Sequence, residues 1–153
     1  MDKDNTRGLD FEYAIDHMSS RMPLDSDGWL FRIKISNNNY SRSIEKIVVC
    51  FEAKKLTPVL KQVTLELGIM HNYEKRLNPG DTIFADAIYV IPKDTENNIY
   101  DLYIGDLVLA KDLSGFVKFA ITVKAKDCPL VRKFFNLYLK PTASGVEPEI
   151  YSV

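Results

Sequence analysis

Few side chains in this sequence are of a type and spacing that could do chemistry together. His17, His71, Cys50 and Cys128 are the natural soft ligands for a metal ion. They lie far apart, and none has a His, Cys or carboxylate partner at ligand spacing. A zinc site draws on three or four such groups, so no metal is expected and the histidines read as core or surface residues. Asp25-Ser26-Asp27-Gly28 opens like a calcium loop. That loop needs a glycine at its sixth position and a chelating glutamate at its twelfth. Counted from Asp25, those places hold Leu30 and Ser36, so the match fails and the stretch reads as an exposed turn. There is no G-x-S-x-G elbow and no Gly-rich phosphate loop. Asp94 and Glu96 are close in sequence, but a glycosidase needs its carboxylates placed across a bond. Acids scattered as these are read as solvated loop charges. The expectation is therefore no catalytic residue, no cofactor and no enzyme.

Three recognition signals remain. Asn39-Tyr40-Ser41 fits a glycosylation acceptor, but no secretory signal accompanies it. Ile150-Tyr151-Ser152-Val153 could dock as an added strand in a groove; an idle end is the plainer reading. The chain carries eight Tyr and eight Phe. Tyr73, Tyr89, Tyr100, Tyr103 and Tyr138 fall in or near loops and outward positions. Aromatics with a polar tip favour interfaces and sugar-stacking surfaces, so these five are the candidate interface residues.

The elements that must position them follow from bulk properties and pattern. A chain of 153 residues suits one domain, burying roughly 70% of the surface its unfolded form exposes. Apolar content of 46% and charged content of 27% are those of an ordinary globular chain. The net charge of −1 argues against a general nucleic-acid binder, which needs clustered cations. No run of about 18 apolar residues is present, so no membrane span is expected. Met1-Asp2-Lys3-Asp4-Asn5 has no apolar signal core, and the expected compartment is the cytoplasm. Two cysteines are too few for a disulfide framework; two idle thiols is the preferred reading.

The chain is organised around 29–51. Trp29, Phe31, Ile33 and Ile35 alternate with Leu30, Arg32, Lys34 and Ser36, which in a strand puts four large apolar groups on one face. A polar loop rich in Asn and Ser leads to the β-branched run Ile47-Val48-Val49, and the two runs read as antiparallel strands joined by that loop. Leu9–Ile15 reads as a first strand, although Phe11, Ile15, Met18 and Met22 also fit a helical spacing. Val63, Leu65, Leu67 and Ile69 mark a strand with one wet face. Leu77-Asn78-Pro79-Gly80-Asp81 is a strong turn signal. Ile83 to Val90 predicts a strand bulged near Asp86. Ile99 to Leu109 holds one or two short apolar pieces separated by Gly105-Asp106. Val117 to Ala125 and Phe135 to Leu139 form a final hairpin across Asp127-Cys128-Pro129. Residues 1–8 are read as a flexible lead-in, 9–140 as the domain and 141–153 as a flexible tail.

Seven to nine strands at these spacings predict an all-β protein, a single antiparallel β-sandwich. The run Arg32-Ile33-Lys34-Ile35, then Asn37, a polar gap and Ile47-Val48-Val49 resembles the early hairpin of immunoglobulin-like, or fibronectin-III-like, β-sandwich domains appended to bacterial proteins. Leu77 to Asp81 is similar to their mid-domain turn, and the closing hairpin to theirs. The resemblance covers roughly residues 28–140 and implies a spacer, adhesion or partner-binding role. It departs from the family pattern at Asn38 and Asn39, where a glycine is usual. The expected function is a non-catalytic binding or assembly module. It would engage a protein partner or a second copy through a sheet face or an edge strand, Gln62 to Met70 with the aromatic loops being the candidate surface. The alternatives are a carbohydrate-binding module using exposed Tyr and Trp29, and an enzyme of unrecognised type.

Overall fold

The computed structural model describes residues 9–18, 28–39, 41–54, 62–67, 76–94, 96–104, 107–142 and 145–152. The lead-in and Tyr73 lie outside them. The described residues form ten strands and no helix: β1 (Leu9–Met18), β2 (Gly28–Asn37), β3 (Val48–Lys54), β4 (Gln62–Leu67), β5 (Thr82–Asp94), β6 (Ile99–Ile104), β7 (Leu107–Leu113), β8 (Val117–Lys124), β9 (Val131–Thr142) and β10 (Gly145–Ser152). They build two antiparallel five-stranded sheets, β1-β2-β5-β6-β7 and β10-β9-β8-β3-β4, packed as a sandwich. No helix among the described residues is long and apolar enough to cross a membrane.

The two-residue alternation sets the layers. Phe31, Ile33 and Ile35 of β2 are buried, while Arg32, Lys34 and Ser36 between them are only half-buried. In β8, Val117, Phe119, Ile121 and Val123 point into the same core from the other sheet. An aromatic cluster ties the layers together. Phe119 of β8 lies 5.4 Å from Phe31 of β2, 5.4 Å from Phe51 of β3 and 5.3 Å from Phe135 of β9, ring centre to ring centre. Tyr13 of β1 joins it at 5.6 Å from both Phe31 and Phe135. Edge-to-face and offset pairs of this kind add to the burial of the rings themselves. The bulge expected near Asp86 is present: Phe31 faces Ile88 while Arg32 faces Asp86, leaving Ala87 as the extra residue.

The structure corrects the sequence reading at two places. The runs on either side of 37–47 do not pair with each other: β2 lies between β1 and β5, β3 between β4 and β8. The loop crosses from one sheet to the other. Of the run Ile47-Val48-Val49 the strand takes in only Val48 onward; Lys46 just before it has φ 54°, a left-handed turn of the backbone outside the extended region. Ile44 and Ile47 are buried all the same, plugging the end of the core. The second correction is at 141–153, read as a flexible tail. Gly145–Ser152 is a strand on β9, with Ile150 opposite Leu137 and both buried. Pro148 is tolerated because β10 is an edge strand, where a missing N–H leaves no ladder bond unmade.

Truncating Phe119 should therefore loosen both layers at once. Phe119→Ala is expected to cost about 3–5 kcal/mol, read as a lower urea midpoint at unchanged slope. Phe116→Ala, a residue 62% exposed, should stay within about 0.5 kcal/mol of the parent.

Candidate functional site

The described residues place the candidate tyrosines in three environments. Tyr100 is fully buried, and its hydroxyl donates to the Gly115 carbonyl at 3.0 Å. Burial pushes its phenol pKa up, and the ring is core, not interface. Tyr138 sits half-buried on the outer face of the second sheet, donating to Glu149 at 2.8 Å. Its ring lies 4.9 Å from that of the exposed Phe116. Tyr89 and Tyr103 are brought together: they are register partners across β5 and β6 on the outer face of the first sheet, and Val108 of β7 is the next partner in the row. On the other side Tyr89 faces Leu30, which is fully buried.

The row runs out to an edge strand with unequal halves. Leu107 and Val108, at the start of β7, are 50% and 45% exposed. The second half is irregular and charged. Asp112 takes φ 56°, gives its backbone N–H to the buried Asp101 carboxylate at 2.9 Å, and holds Lys93 at 2.8 Å. Bulges and charge are the usual guards of an exposed edge; the charges fall in this half, while one of the two register shifts lies at Leu109, between Val108 and Ala110. β4, the sequence-based candidate, is also an edge strand; it ends at Leu67, and the rest of that stretch lies outside the described residues. Alternation does not single out Leu107, Val108 and Phe116, and sequence reasoning missed them. Phe134, 48% exposed under the Arg132 guanidinium, had a signal: next to the buried Phe135 it must face the opposite way.

A polar cleft opens at one end of the sandwich, with a volume of about 330 Å³. Three separate segments line it. The crossover supplies Ser41, Arg42, Ser43 and Glu45, the approach to β5 supplies Arg76, and the β8–β9 turn supplies Lys126 and Asp127. Its walls are fixed by backbone hydrogen bonds. Ile44 and Leu77 exchange N–H to C=O bonds of 2.8 Å each, and the Lys126 N–H donates to the Glu45 carbonyl at 2.9 Å. Asn37 is the hub. Its buried carboxamide donates to the Arg42 carbonyl at 2.8 Å and the Leu77 carbonyl at 3.0 Å, and accepts from the Asn39 N–H at 2.9 Å. Its own backbone N–H donates to Asp81, and its carbonyl accepts from Gly80. The two pieces the sequence shows separately, Asn37 and the Leu77–Asp81 turn, are thus one assembly.

Among the described residues no group of three or more His, Cys, Asp or Glu side chains is arranged to hold a metal. His71 and the side chain of His17 lie outside them. Cys50 and Cys128 are free thiols, both half-buried, and burial raises the Cys128 pKa. The acids are held mostly in ion pairs on the outer faces, such as Arg32–Asp86 at 3.0 Å and Arg132–Glu52 at 2.7 Å. No family model, curated protein or solved structure matches the chain.

The hub sets a prediction. Asn37→Ala leaves the Arg42 carbonyl without this donor, the Asn39 N–H without its acceptor and the Leu77 carbonyl with the Ile44 N–H alone, a loss of about 1–3 kcal/mol. Asn37→Asp keeps the shape but turns an oxygen toward those carbonyls and buries a charge, so its loss at neutral pH should be the larger. Urea unfolding of the two variants checks the order.

Proposed function

We propose that this chain is a non-catalytic assembly module of the immunoglobulin-like class. Its mode of action is pairing with a second copy of itself through β7 and the outer face of the first sheet. The observation that carries this reading is the row Tyr89, Tyr103, Val108, which leads across three strands to an edge whose first residues are half-exposed and apolar. An edge strand offers unpaired backbone groups to any chain laid beside it. Two copies meeting there about a two-fold axis would continue one sheet through both molecules and bring their tyrosine rows side by side. Tyr and neighbouring apolar groups are the residues that supply contact area in such interfaces.

The class assignment is supported by strand order. Immunoglobulin-like sandwiches set strands A-B-E-D against C-F-G, with C′ added next to C in some. The order β1-β2-β5 against β9-β8-β3-β4 corresponds to A-B-E against G-F-C-C′. The β6–β7 hairpin then occupies the place beside E that D otherwise takes, and β10 is an addition beyond G. A sugar-binding reading is less well supported, because Trp29 packs partly buried against the core instead of lying open beside the tyrosines.

Sedimentation velocity over a concentration series tests the proposal. The parent should show a reversible monomer–dimer equilibrium. Val108→Lys and Leu107→Lys should shift it to monomer with an unchanged circular-dichroism spectrum, because neither side chain is part of the core. A parent that stays monomeric throughout overturns self-pairing.

A further inference from the structure

We infer that the polar cleft at the end of the sandwich is a binding site for a tetrahedral oxyanion carried on a polyol, a sugar phosphate or sugar sulfate. This is independent of the pairing edge, which lies on other strands.

Three cations converge there from three distant stretches of chain, and the backbone bonds already described hold those stretches in place before any ligand arrives. Arg42 and Arg76 are oriented by carboxylates at the wall, Arg42 by Asp127 and Arg76 by Glu45, each at 3.7 Å. Those pairs are longer than the 2.7–3.1 Å of the contacts between Arg132 and Glu52 and between Lys133 and Asp10. At 3.7 Å they exceed hydrogen-bond length, and both arginines make further contacts, Arg76 donating to the Ser43 hydroxyl at 3.4 Å. Lys126 supplies the third cation, and its side chain makes no ion pair or hydrogen bond among the described residues. Among the described residues, three cations against two carboxylates leave the lining positive inside a chain whose net charge is −1.

The rest of the lining defines the rest of the ligand. The volume is far more than a bare ion needs, since a single water requires only about 10–15 Å³. Among the described residues the lining side chains are all charged or hydroxylic, with no aromatic or aliphatic residue for an apolar group to pack on. Hydroxyls can donate to Glu45 and Asp127; the Ser41 and Ser43 hydroxyls already donate to Asn39 at 3.1 Å and Asn78 at 3.2 Å, so toward a ligand they act as acceptors. A polyol satisfies those groups while its phosphate or sulfate takes the cations, for which Arg is geometrically suited. The backbone is unusual at the same place. Of the four non-glycine residues with left-handed φ among the described residues, Asp127 at 58° lines the cleft and Lys46 at 54° adjoins Glu45. Lysine has no side-chain reason to adopt that conformation, and such outliers gather at functional sites.

The test is an amide NMR titration at low ionic strength with glucose 6-phosphate, glucose 6-sulfate, inorganic phosphate and glucose as separate ligands. At about 10 mM ligand, where a weak exposed site fills, one or both esters should shift the amides of Arg42, Ser43, Arg76 and Lys126. Which ester acts identifies the oxyanion. Added salt should reverse the shifts, because the contacts are solvent-exposed. Lys126→Glu should weaken binding about five-fold or more while leaving the remaining amides in place. No shift at these amides, an equal response in Lys126→Glu, or glucose acting as strongly as its esters would overturn the site. Inorganic phosphate binding as tightly as the ester would overturn the polyol half of the assignment.

Discussion

The Asn37 carboxamide is the interaction on which the rest of this sandwich depends. A chain that leaves one sheet for the other must carry backbone polar groups past the end of an apolar core, where none can stay unpaired. Asn37 closes that gap with one side chain. Its two donors reach carbonyls on two different segments, and its oxygen holds the start of the crossover. A carboxamide has two donors and an acceptor on one rigid plane, which a hydroxyl or carboxylate lacks. Because the crossover and the approach to β5 are pinned to each other, the ends of β2, β3 and β5 are set relative to both sheets. The end cleft follows from the same arrangement.

The two outer faces of the sandwich are built on a shared device with different results. On the first sheet Arg32 lies over Phe84 at 5.5 Å and binds Asp86 beside it. On the second, Arg132 lies over Phe134 at 5.1 Å and binds Glu52. In each case a cation covers an exposed ring and is itself neutralised, which keeps an outward aromatic compatible with water. Val108, 45% exposed, has no such ring-and-cation pair beside it among the described residues. The contrast lies in neighbours: the guarded rings sit beside charged residues on adjacent strands, whereas Val108 is next to Tyr103, which has no charge to offer.

Much of the architecture could be read from the alternation of residue types, and the failures have definite causes. The beat in Trp29–Ile35 and Val117–Ala125 specifies buried faces, so the all-β sandwich was legible. Alternation says which face is covered but not which strand lies alongside, and so the two sides of the 37–47 crossover looked like a hairpin. Gly145 and Pro148 resemble breakers in isolation; at an edge they are compatible with a strand. Tyr100 and Tyr103 are three apart on one strand, which puts them on opposite faces. That parity was available from the sequence, but grouping both among loop and outward positions concealed it. The meeting of Tyr89 with Tyr103 needed the register of the β5–β6 hairpin, and the cleft needed three stretches of chain whose proximity no local pattern encodes.

One corner of the sandwich is closed by contacts between β1 and the last two strands. Tyr13 donates to the Ile150 carbonyl at 3.1 Å across 137 positions, and Lys133 reaches both the Asp10 carboxylate and the Phe11 carbonyl. The consequence is kinetic. Joining positions so far apart carries the largest loop-closure entropy in the molecule, and folds dominated by such pairings form in milliseconds to seconds. On a ribosome the first strand has to wait until β9 and β10 have emerged before this corner can shut. Until then its apolar side depends on the β1–β2 hairpin alone, which makes the nascent stage the period of greatest exposure to misassociation.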